Sequence, residues 1–372
     1  MDSRNIYDGF IYDWWKNLDK IVLFLILSLV ILGIFFSLVS TSLIASSKLG
    51  TNSYYFFLRH SIYVVLGLSL IIIFSAIKED DVYKIAILLF IIFFVSLMLI
   101  PFYGVEVKGS KRWLDFTILP RFQPVEFLKP FLVVFLSLVI GSRFTSNNYF
   151  KFLLSTLIVT PVLLLLVLQP DIGQTILISS VWLSLVFVSG VNLYFLCFLL
   201  ILSISIVGYM ILYLPKFTYI KLRVTSFFDF TSKGNYQSQK ANDAIVDGGF
   251  FGKGIGEGTL NTRVPEAHTD YVISVIAEEF GVLLILLILL IFLLLVFRVL
   301  KKIPSEKNNC NKLILIGSIL LIIFQVLIHI GVNIRLLPTT GMTLPFLSYG
   351  GSSMLSSSIL AGLILNFTRR RI

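Results

Sequence analysis

The amino-acid sequence predicts an all-α polytopic membrane protein with about ten transmembrane helices. Of its 372 residues, 57% are hydrophobic and only 13% are charged, and the mean hydropathy is +0.95. Soluble domains carry roughly 25% charged residues, so the composition excludes an ordinary soluble enzyme. A membrane-spanning helix needs about 20 predominantly apolar residues. Such runs recur along the chain at 21–45, 60–77, 84–102, 126–142, 152–169, 173–190, 192–214, 270–297, 313–334 and 352–367.

The first apolar run is too long for the core of a cleaved signal peptide, so we expect it to remain as the first helix. We therefore predict a cytoplasmic segment 1–20, a single integral membrane domain over 21–367 and a cytoplasmic tail 368–372. An even number of spans puts both termini on one side of the membrane. The basic residues of the tail and of the 298–312 loop identify that side as the cytoplasm.

Residues 215–269 then form one long extracytoplasmic loop between helices 7 and 8. Aromatic and basic residues alternate in it, which is typical of a surface at the level of lipid headgroups or of a plain aromatic belt. Its glycine-rich run, Gly248–Gly258, lacks the spacing of a nucleotide-binding loop. Such a run either lets backbone approach a sugar phosphate closely or serves as a flexible connector. The net charge of +10 favours a lipid or phosphate substrate over a nucleic acid.

An acidic motif, Val264-Pro265-Glu266-Ala267-His268-Thr269-Asp270, precedes the eighth apolar run. A carboxylate held where a membrane helix meets water is costly unless the protein uses it. If the helix starts near Thr269, Asp270 lies in its first turn. Asp270 is then either a helix N-cap or a functional carboxylate.

Two further polar motifs lie between apolar runs. Glu126 and Lys129 are three residues apart and share a helix face, where they form either a local ion pair or, with Arg112, a cationic wall for a diphosphate. Asp171 directly precedes a predicted helix, and we favour helix capping over catalysis for it.

The segment Asn333–Ser353 contains two prolines and several glycines before the last apolar run, which predicts broken, re-entrant backbone. Such backbone is tolerated at membrane depth only where it packs in protein or lines a polar cavity. The three histidines are scattered and the two cysteines lie far apart, so the sequence indicates neither a metal-ligand cluster nor a disulfide.

Together these segments resemble the SEDS family (shape, elongation, division and sporulation), membrane enzymes that polymerise peptidoglycan from lipid II. The resemblance runs from about residue 20 to the C-terminus. Gly256–Thr259 and Thr340–Phe346 are more similar to the division member of the family than to the elongation member. Val125 and Gln174 depart from the family pattern. The markers stand in the family's order: Lys108-Gly109…Arg112-Trp113, Gln123-Pro124…Glu126, Gln169-Pro170-Asp171, Pro265–Asp270 and Ser348-Tyr349-Gly350-Gly351.

The resemblance implies that Asp270 is the catalytic carboxylate, and a carboxylate base suits the chemistry because a sugar hydroxyl is a poor nucleophile. It implies a divalent cation, Mg or Mn, and a monofunctional (class B) penicillin-binding transpeptidase and other divisome proteins as partners. We expect the bacterial cytoplasmic (inner) membrane, at the division septum, as the location. The candidate substrate-binding residues are Lys129, Arg112, Asp171, Glu126, Lys111, His268 and Ser348.

Three other functions fit the same features. A lipid II flippase or other transporter would need the same spans and a cationic cavity. A noncatalytic scaffold that recruits a transpeptidase would use Asp270 only as a helix cap. An elongation-type polymerase would share the chemistry and act at the side wall.

Overall fold

The computed structural model describes residues 9, 12–48, 54–107, 110–116, 119–142, 147–214, 217–228, 236–259, 264 and 266–369. Half of the predicted N-terminal segment, most of the predicted tail, and the motif residues Lys108, Gly109 and Pro265 lie outside the described residues.

Helices dominate the chain, as predicted, and most are long and apolar. They are α1 (Lys20–Lys48), α2 (Tyr55–Ala76), α3 (Glu79–Tyr103), α4 (Pro124–Gly141), α5 (Asn148–Leu168), α6 (Ile172–Val188), α7 (Leu193–Tyr213), α8 (Thr218–Phe228), α9 (Tyr236–Gly248), α10 (Val272–Phe280), α11 (Val282–Lys302), α12 (Asn309–Asn333) and α13 (Gly351–Thr368).

Among the described residues, eight helices are long and apolar enough to cross a membrane: α1 to α5 and α11 to α13. Two further predicted spans coincide with α6 and α7, of which only 17 and 10 residues form apolar helix by the same measure. The all-α polytopic class is therefore confirmed, and the number ten stays a prediction.

The predicted span 270–297 is not one helix, and that expectation was wrong. The chain breaks at Gly281, whose φ is +82°, into α10 and α11. The glycine-rich run causes the break by packing against it, since Val282 N–H donates to the Gly249 carbonyl (3.0 Å) and Lys253 N–H to the Glu278 carbonyl (2.9 Å). A Cβ atom on Gly281 would lie 2.2 Å from the Phe250 oxygen, so only glycine fits.

At residues 248–254 the glycine-rich run is therefore neither a flexible connector nor a loop whose backbone is open to a phosphate group. The break also changes the position expected for Asp270. Because α10 begins at Val272 and its N-cap residue is Tyr271, Asp270 lies in the turn before the helix and does not cap it.

A small antiparallel sheet, absent from the sequence prediction, covers the outer end of α3 and α4. Its strands are β1 (Gly104–Val107), β2 (Ser110–Phe116) and β3 (Leu119–Phe122), in the order β1-β2-β3. Leu114 pairs with Gly104 on one side and with Phe122 on the other. The strands hold Arg112 and Arg121 on a rigid surface instead of a loop.

The helices pack around α4, α12 and α13, whose side chains are mostly buried in one large apolar core. α13 runs along α2, α3 along α4, and α12 against α4 and α6. Residues 334–350, between α12 and α13, contain no regular helix, as predicted for re-entrant backbone. α1 approaches this segment so closely that a Cβ atom on Gly33 would lie 2.1 Å from the Phe346 oxygen.

Candidate active site

A cavity of about 860 Å³ opens at the end of the bundle that carries the sheet and the acidic motif. Its wall combines the start of α2, strand β2, the start of α4, the turn 266–271, the re-entrant segment and the start of α13. The charged residues that line it are Arg59, Arg112, Arg121, Glu126, Glu266 and Asp270. Basic and acidic groups from distant parts of the sequence therefore share one polar chamber.

Asp270 is held by a tight turn on the cavity wall. Its N–H donates to the Glu266 carbonyl (3.1 Å), and its own carbonyl accepts a hydrogen bond from Asn333 Nδ2 (3.1 Å). The carboxylate lies against Gly341, where a Cβ atom would come within 3.6 Å of Oδ2. Since Gly341 has φ +73°, glycine both permits this backbone and leaves room for the carboxylate.

Ser348 and His268 fix the Asp270 turn to the re-entrant segment. Ser348 Oγ donates to the Thr269 carbonyl (2.7 Å) and accepts from Leu344 N–H (2.8 Å). Tyr349 N–H donates to the His268 carbonyl (3.0 Å), and the His268 ring packs 5.6 Å from the Tyr349 ring. Neither Ser348 nor His268 is among the described residues that line the cavity, so both support Asp270 from behind.

Arg112 lines the cavity and pairs with Asp171, which is not among the described residues that line it. The Arg112 guanidinium lies 3.7 Å from Asp171 Oδ2 and also donates to the Pro170 carbonyl. Asp171 caps α6 by accepting from Gln174 N–H (3.4 Å), as predicted, and accepts a hydrogen bond from Gln123 Nε2 (3.3 Å). Burial raises the pKa of the Asp171 carboxyl, and the Arg112 charge opposes that shift. Asp171 is thus both a cap and the group that orients Arg112.

Glu126 and Lys129 form a buried ion pair in α4. Lys129 Nζ lies 3.0 Å from Glu126 and 3.3 Å from Gln325 Oε1, and Gln174 Nε2 donates to Glu126 Oε1 (2.6 Å). Glu126 lines the cavity, whereas the structure places Lys129 behind it, with its side chain fully buried. The geometry therefore supports an ion pair that positions Glu126, and not a direct contact of Lys129 with a ligand in this cavity.

Lys111 is exposed on β2 and is not one of the described residues that line the cavity. Conversely, sequence reasoning missed Arg59 and Tyr63, which line it from α2. The predicted second span began at residue 60, so Arg59 was left in a loop. In the structure α2 begins at Tyr55, which puts Arg59 inside the helix. The position of Arg59 within the aromatic run at the start of this span was the feature of the sequence that could have identified it as a site residue.

A smaller, apolar pocket of about 100 Å³ adjoins the Arg112 side of the cavity. Arg112 and Thr339 line both spaces. The remaining wall of the small pocket is mainly aliphatic, with Ile172, Ile176, Val224, Ile328 and Leu337. The site therefore offers an apolar space directly beside a guanidinium.

The described side chains do not form a metal site of their own. None of them make a group of three or more histidine, cysteine or acidic residues at metal-binding spacing. Mg²⁺ is usually held by one or two carboxylates together with substrate phosphates. The donor set on this cavity wall does not make a cage of its own, and we derive no step through a metal.

Comparison with known proteins gives one consistent answer. The family model described as "Cell cycle protein" (FTSW_RODA_SPOVE) matches residues 19–371. The probable peptidoglycan glycosyltransferase FtsW of Caulobacter vibrioides is 32% identical over 359 residues, which cover 96% of this chain and 91% of the relative. The protein of the same name from Coxiella burnetii is 33% identical over 367 residues, covering 95% of each chain.

Two solved structures have the same fold. One, from work on the structural coordination of polymerization and crosslinking by a peptidoglycan synthase complex, superposes with a TM-score of 0.78 at 27% identity, covering 94% of this chain and 97% of the other. The other is the rod shape determining protein RodA of Thermus thermophilus, with a TM-score of 0.68 at 25% identity, covering 95% and 97%. The chain belongs to the FTSW_RODA_SPOVE family of cell cycle proteins.

Proposed function

We propose that this chain is a peptidoglycan glycosyltransferase of the inner membrane that polymerises lipid II into glycan strands. The observation that carries the proposal is the position of Asp270, fixed on the wall of a cavity that also presents Arg112. The relatives named peptidoglycan glycosyltransferase FtsW, which match nearly the whole chain, support the same activity.

The reaction joins the 4-hydroxyl of the GlcNAc on one lipid II to the anomeric carbon of a MurNAc that carries undecaprenyl diphosphate. The new bond forms between the hydroxyl oxygen and that carbon, while the bond from the carbon to the diphosphate oxygen breaks. The hydroxyl proton passes to the Asp270 carboxylate, and the bonding electron pair leaves with the diphosphate. A positioned general base of this kind contributes about 10²–10⁴-fold to a rate.

The leaving diphosphate gains negative charge as its bond breaks, and donors that are already in place lower the energy of that state. Arg112 suits this role, since Asp171 and the Pro170 carbonyl fix its guanidinium before a substrate arrives. The apolar pocket beside Arg112 suits the first isoprene units of the lipid. Glu126, held by Lys129, contributes a carboxylate to the wall of the same cavity.

A divalent cation, Mg or Mn, would be held here jointly with the substrate diphosphate, since the described side chains do not form a cage of their own. When bound, it would supply charge neutralisation to the diphosphate oxygens. Asp270 and Glu266, two of the three carboxylates on the cavity wall, would contribute ligands beside the substrate's own oxygens.

The chain is a multi-pass membrane protein, and we propose that it acts at the division septum with both termini in the cytoplasm. The FtsW relatives support the division role over the elongation role. A partner that crosslinks the strands, a class B penicillin-binding transpeptidase, is supported by the structural similarity to a synthase complex that couples polymerization with crosslinking. Other divisome proteins would recruit the pair to midcell.

The decisive test uses the purified protein with purified lipid II in detergent, with and without the cognate transpeptidase. Glycan strands, resolved by gel electrophoresis, are the expected product. A flippase or a scaffold makes none, because detergent leaves no bilayer to cross and a scaffold has no turnover. If no glycan forms in either condition, the proposed function fails.

Two variants at Asp171 distinguish its role as a helix cap from its role in orienting Arg112. We expect Asp171→Asn to keep the cap on α6, since asparagine is an equally good N-cap, whereas Asp171→Ala loses about 1 kcal/mol of stability. Both variants remove the charge that orients Arg112, so both should polymerise about 10- to 100-fold more slowly. Strand synthesis and the thermal unfolding midpoint measure the two effects. A wild-type rate in Asp171→Asn would reduce Asp171 to a cap.

A further inference from the structure

Arg59 is a charged group on the cavity wall that the mechanism above does not use. It lies in the second turn of α2, one helical turn before Tyr63, and both side chains line the cavity that contains Asp270. An arginine inside a membrane-spanning helix is costly unless it faces a polar cavity or a partner. Its retention at this position therefore needs an anion or another polar partner in the cavity.

Among the described residues, Arg59 contacts the neutral aromatic side chains of Tyr55 and Tyr349. Its guanidinium carbon lies 4.8 Å from the centre of the Tyr55 ring. Burial raises the pKa of the Tyr349 phenol, and the Arg59 charge and a hydrogen bond from Arg59 oppose that shift. Among the described residues, no carboxylate lies within 4.0 Å of the Arg59 guanidinium.

The other two arginines of the cavity wall differ in this respect. Arg112 pairs with Asp171 at 3.7 Å, and Arg121 pairs with Asp115 at 2.9 Å. Much of the charge on these two residues is therefore balanced within the protein. Arg59 presents a positive charge that the described carboxylates do not balance, and it is more than a third exposed to the cavity or solvent.

Arg59 and Arg112 line the same cavity as Asp270, and each is linked to its surroundings by different neighbours. The Tyr349 phenol accepts a hydrogen bond from Arg59, and the Tyr349 ring packs 5.6 Å from the ring of His268, two residues before Asp270. Asp270 lies against Gly341, and the adjacent Thr340 lines the small apolar pocket together with Arg112. Arg59, Arg112 and Asp270 therefore line one cavity, and the two guanidinium groups have different neighbours.

A polymerase that joins two lipid-linked sugars must hold two diphosphates at once, one on the donor and one on the acceptor. Arg112 is placed beside the leaving diphosphate in the proposed mechanism. The acceptor's diphosphate does not change charge during the reaction, so it needs only a fixed cation that holds it in place. Guanidinium groups bind phosphate oxygens through paired, charge-assisted hydrogen bonds.

We propose that Arg59 binds the diphosphate of the acceptor lipid II, so that the cavity holds two lipid-linked diphosphates, one at Arg59 and one at Arg112. This inference rests on the proposed function. It adds a second anion site, formed by α2, to the one formed by the sheet and α6.

The test counts the lipid II molecules bound to the full-length protein by native mass spectrometry in detergent. The background is Asp270→Asn, so that bound substrate is not consumed. We expect two lipid II per chain in this background and one after Arg59→Gln is added, with the second binding event weakened about 10- to 100-fold. Arg59→Lys, which keeps the charge and loses the fork geometry, should weaken it less.

Lys301→Gln is the matched control, because it removes an exposed positive charge at the end of α11, far along the chain from the cavity wall. It should retain two bound lipids. Undecaprenol, which lacks the diphosphate, should occupy neither site. Two lipids bound with unchanged affinity after Arg59→Gln, a single lipid in the Asp270→Asn background, or equal filling by undecaprenol would each overturn the inference. Failure of the proposed function would appear separately, as absence of glycan synthesis by the wild-type chain.

Discussion

Replacing Asp270 by asparagine should reduce glycan polymerisation from lipid II by about 10²–10⁴-fold, the usual contribution of a positioned general base. Asparagine has the same shape but cannot accept the proton of the attacking hydroxyl. The backbone of residue 270 donates a hydrogen bond to the Glu266 carbonyl and accepts one from the Asn333 side-chain amide, and the substitution leaves both in place. Expression and thermal stability should therefore stay close to those of the wild type.

The measurement is the rate of strand synthesis by purified protein, at matched concentration and with the transpeptidase present. Asp243→Asn serves as the control, since it removes a half-exposed carboxylate from α9 that pairs with Lys240 and does not line the cavity. Its rate should match the wild type. Full activity of Asp270→Asn would exclude the general-base role, whatever the other variants do.

Much of the candidate site could be predicted because its residues sit at ends of apolar runs. Asp270, Arg112 and the re-entrant segment each break a hydrophobic pattern, and charged or broken backbone at membrane depth requires a cavity or a partner. The structure brings all three to one chamber. Their positions around one cavity depend on how the helices pack, which no single motif encodes. The sequence therefore indicated which residues belong to the site but not how they are arranged in space.

The missed features have physical reasons. The break at Gly281 depends on hydrogen bonds from a glycine-rich run some 30 residues earlier in the chain, which hydrophobic periodicity within 270–297 does not register. The strands at 104–122 are four to seven residues long and are fixed by pairing with one another. Arg59 was not predicted as a site residue because the boundaries of apolar runs are uncertain by several residues. Lys129 is buried behind the cavity wall whereas Arg112 lines it, and this difference depends only on how the helices pack.

The ion pair of Glu126 and Lys129 should produce the largest stability effects in the chain. Glu126→Gln leaves the Lys129 ammonium buried without a counter-charge, and Lys129→Met leaves the Glu126 carboxylate in the same condition. Breaking a buried pair from one side costs about 3–5 kcal/mol, whereas replacing both partners by neutral groups costs far less. We expect each single variant to melt at a much lower temperature and the double variant to recover most of the loss.

Activity in the double variant then separates two roles that spacing alone left open. If Lys129 only positions Glu126, the double variant should polymerise within about ten-fold of the wild type, since the introduced amide oxygen can still accept the hydrogen bond from Gln174. If Lys129 instead supplies positive charge to the diphosphate, stability returns while activity stays lost. The fully buried side chain of Lys129 and its bonds to Glu126 and Gln325 favour the first result. A stable but inactive double variant would show that Lys129 contributes to substrate binding.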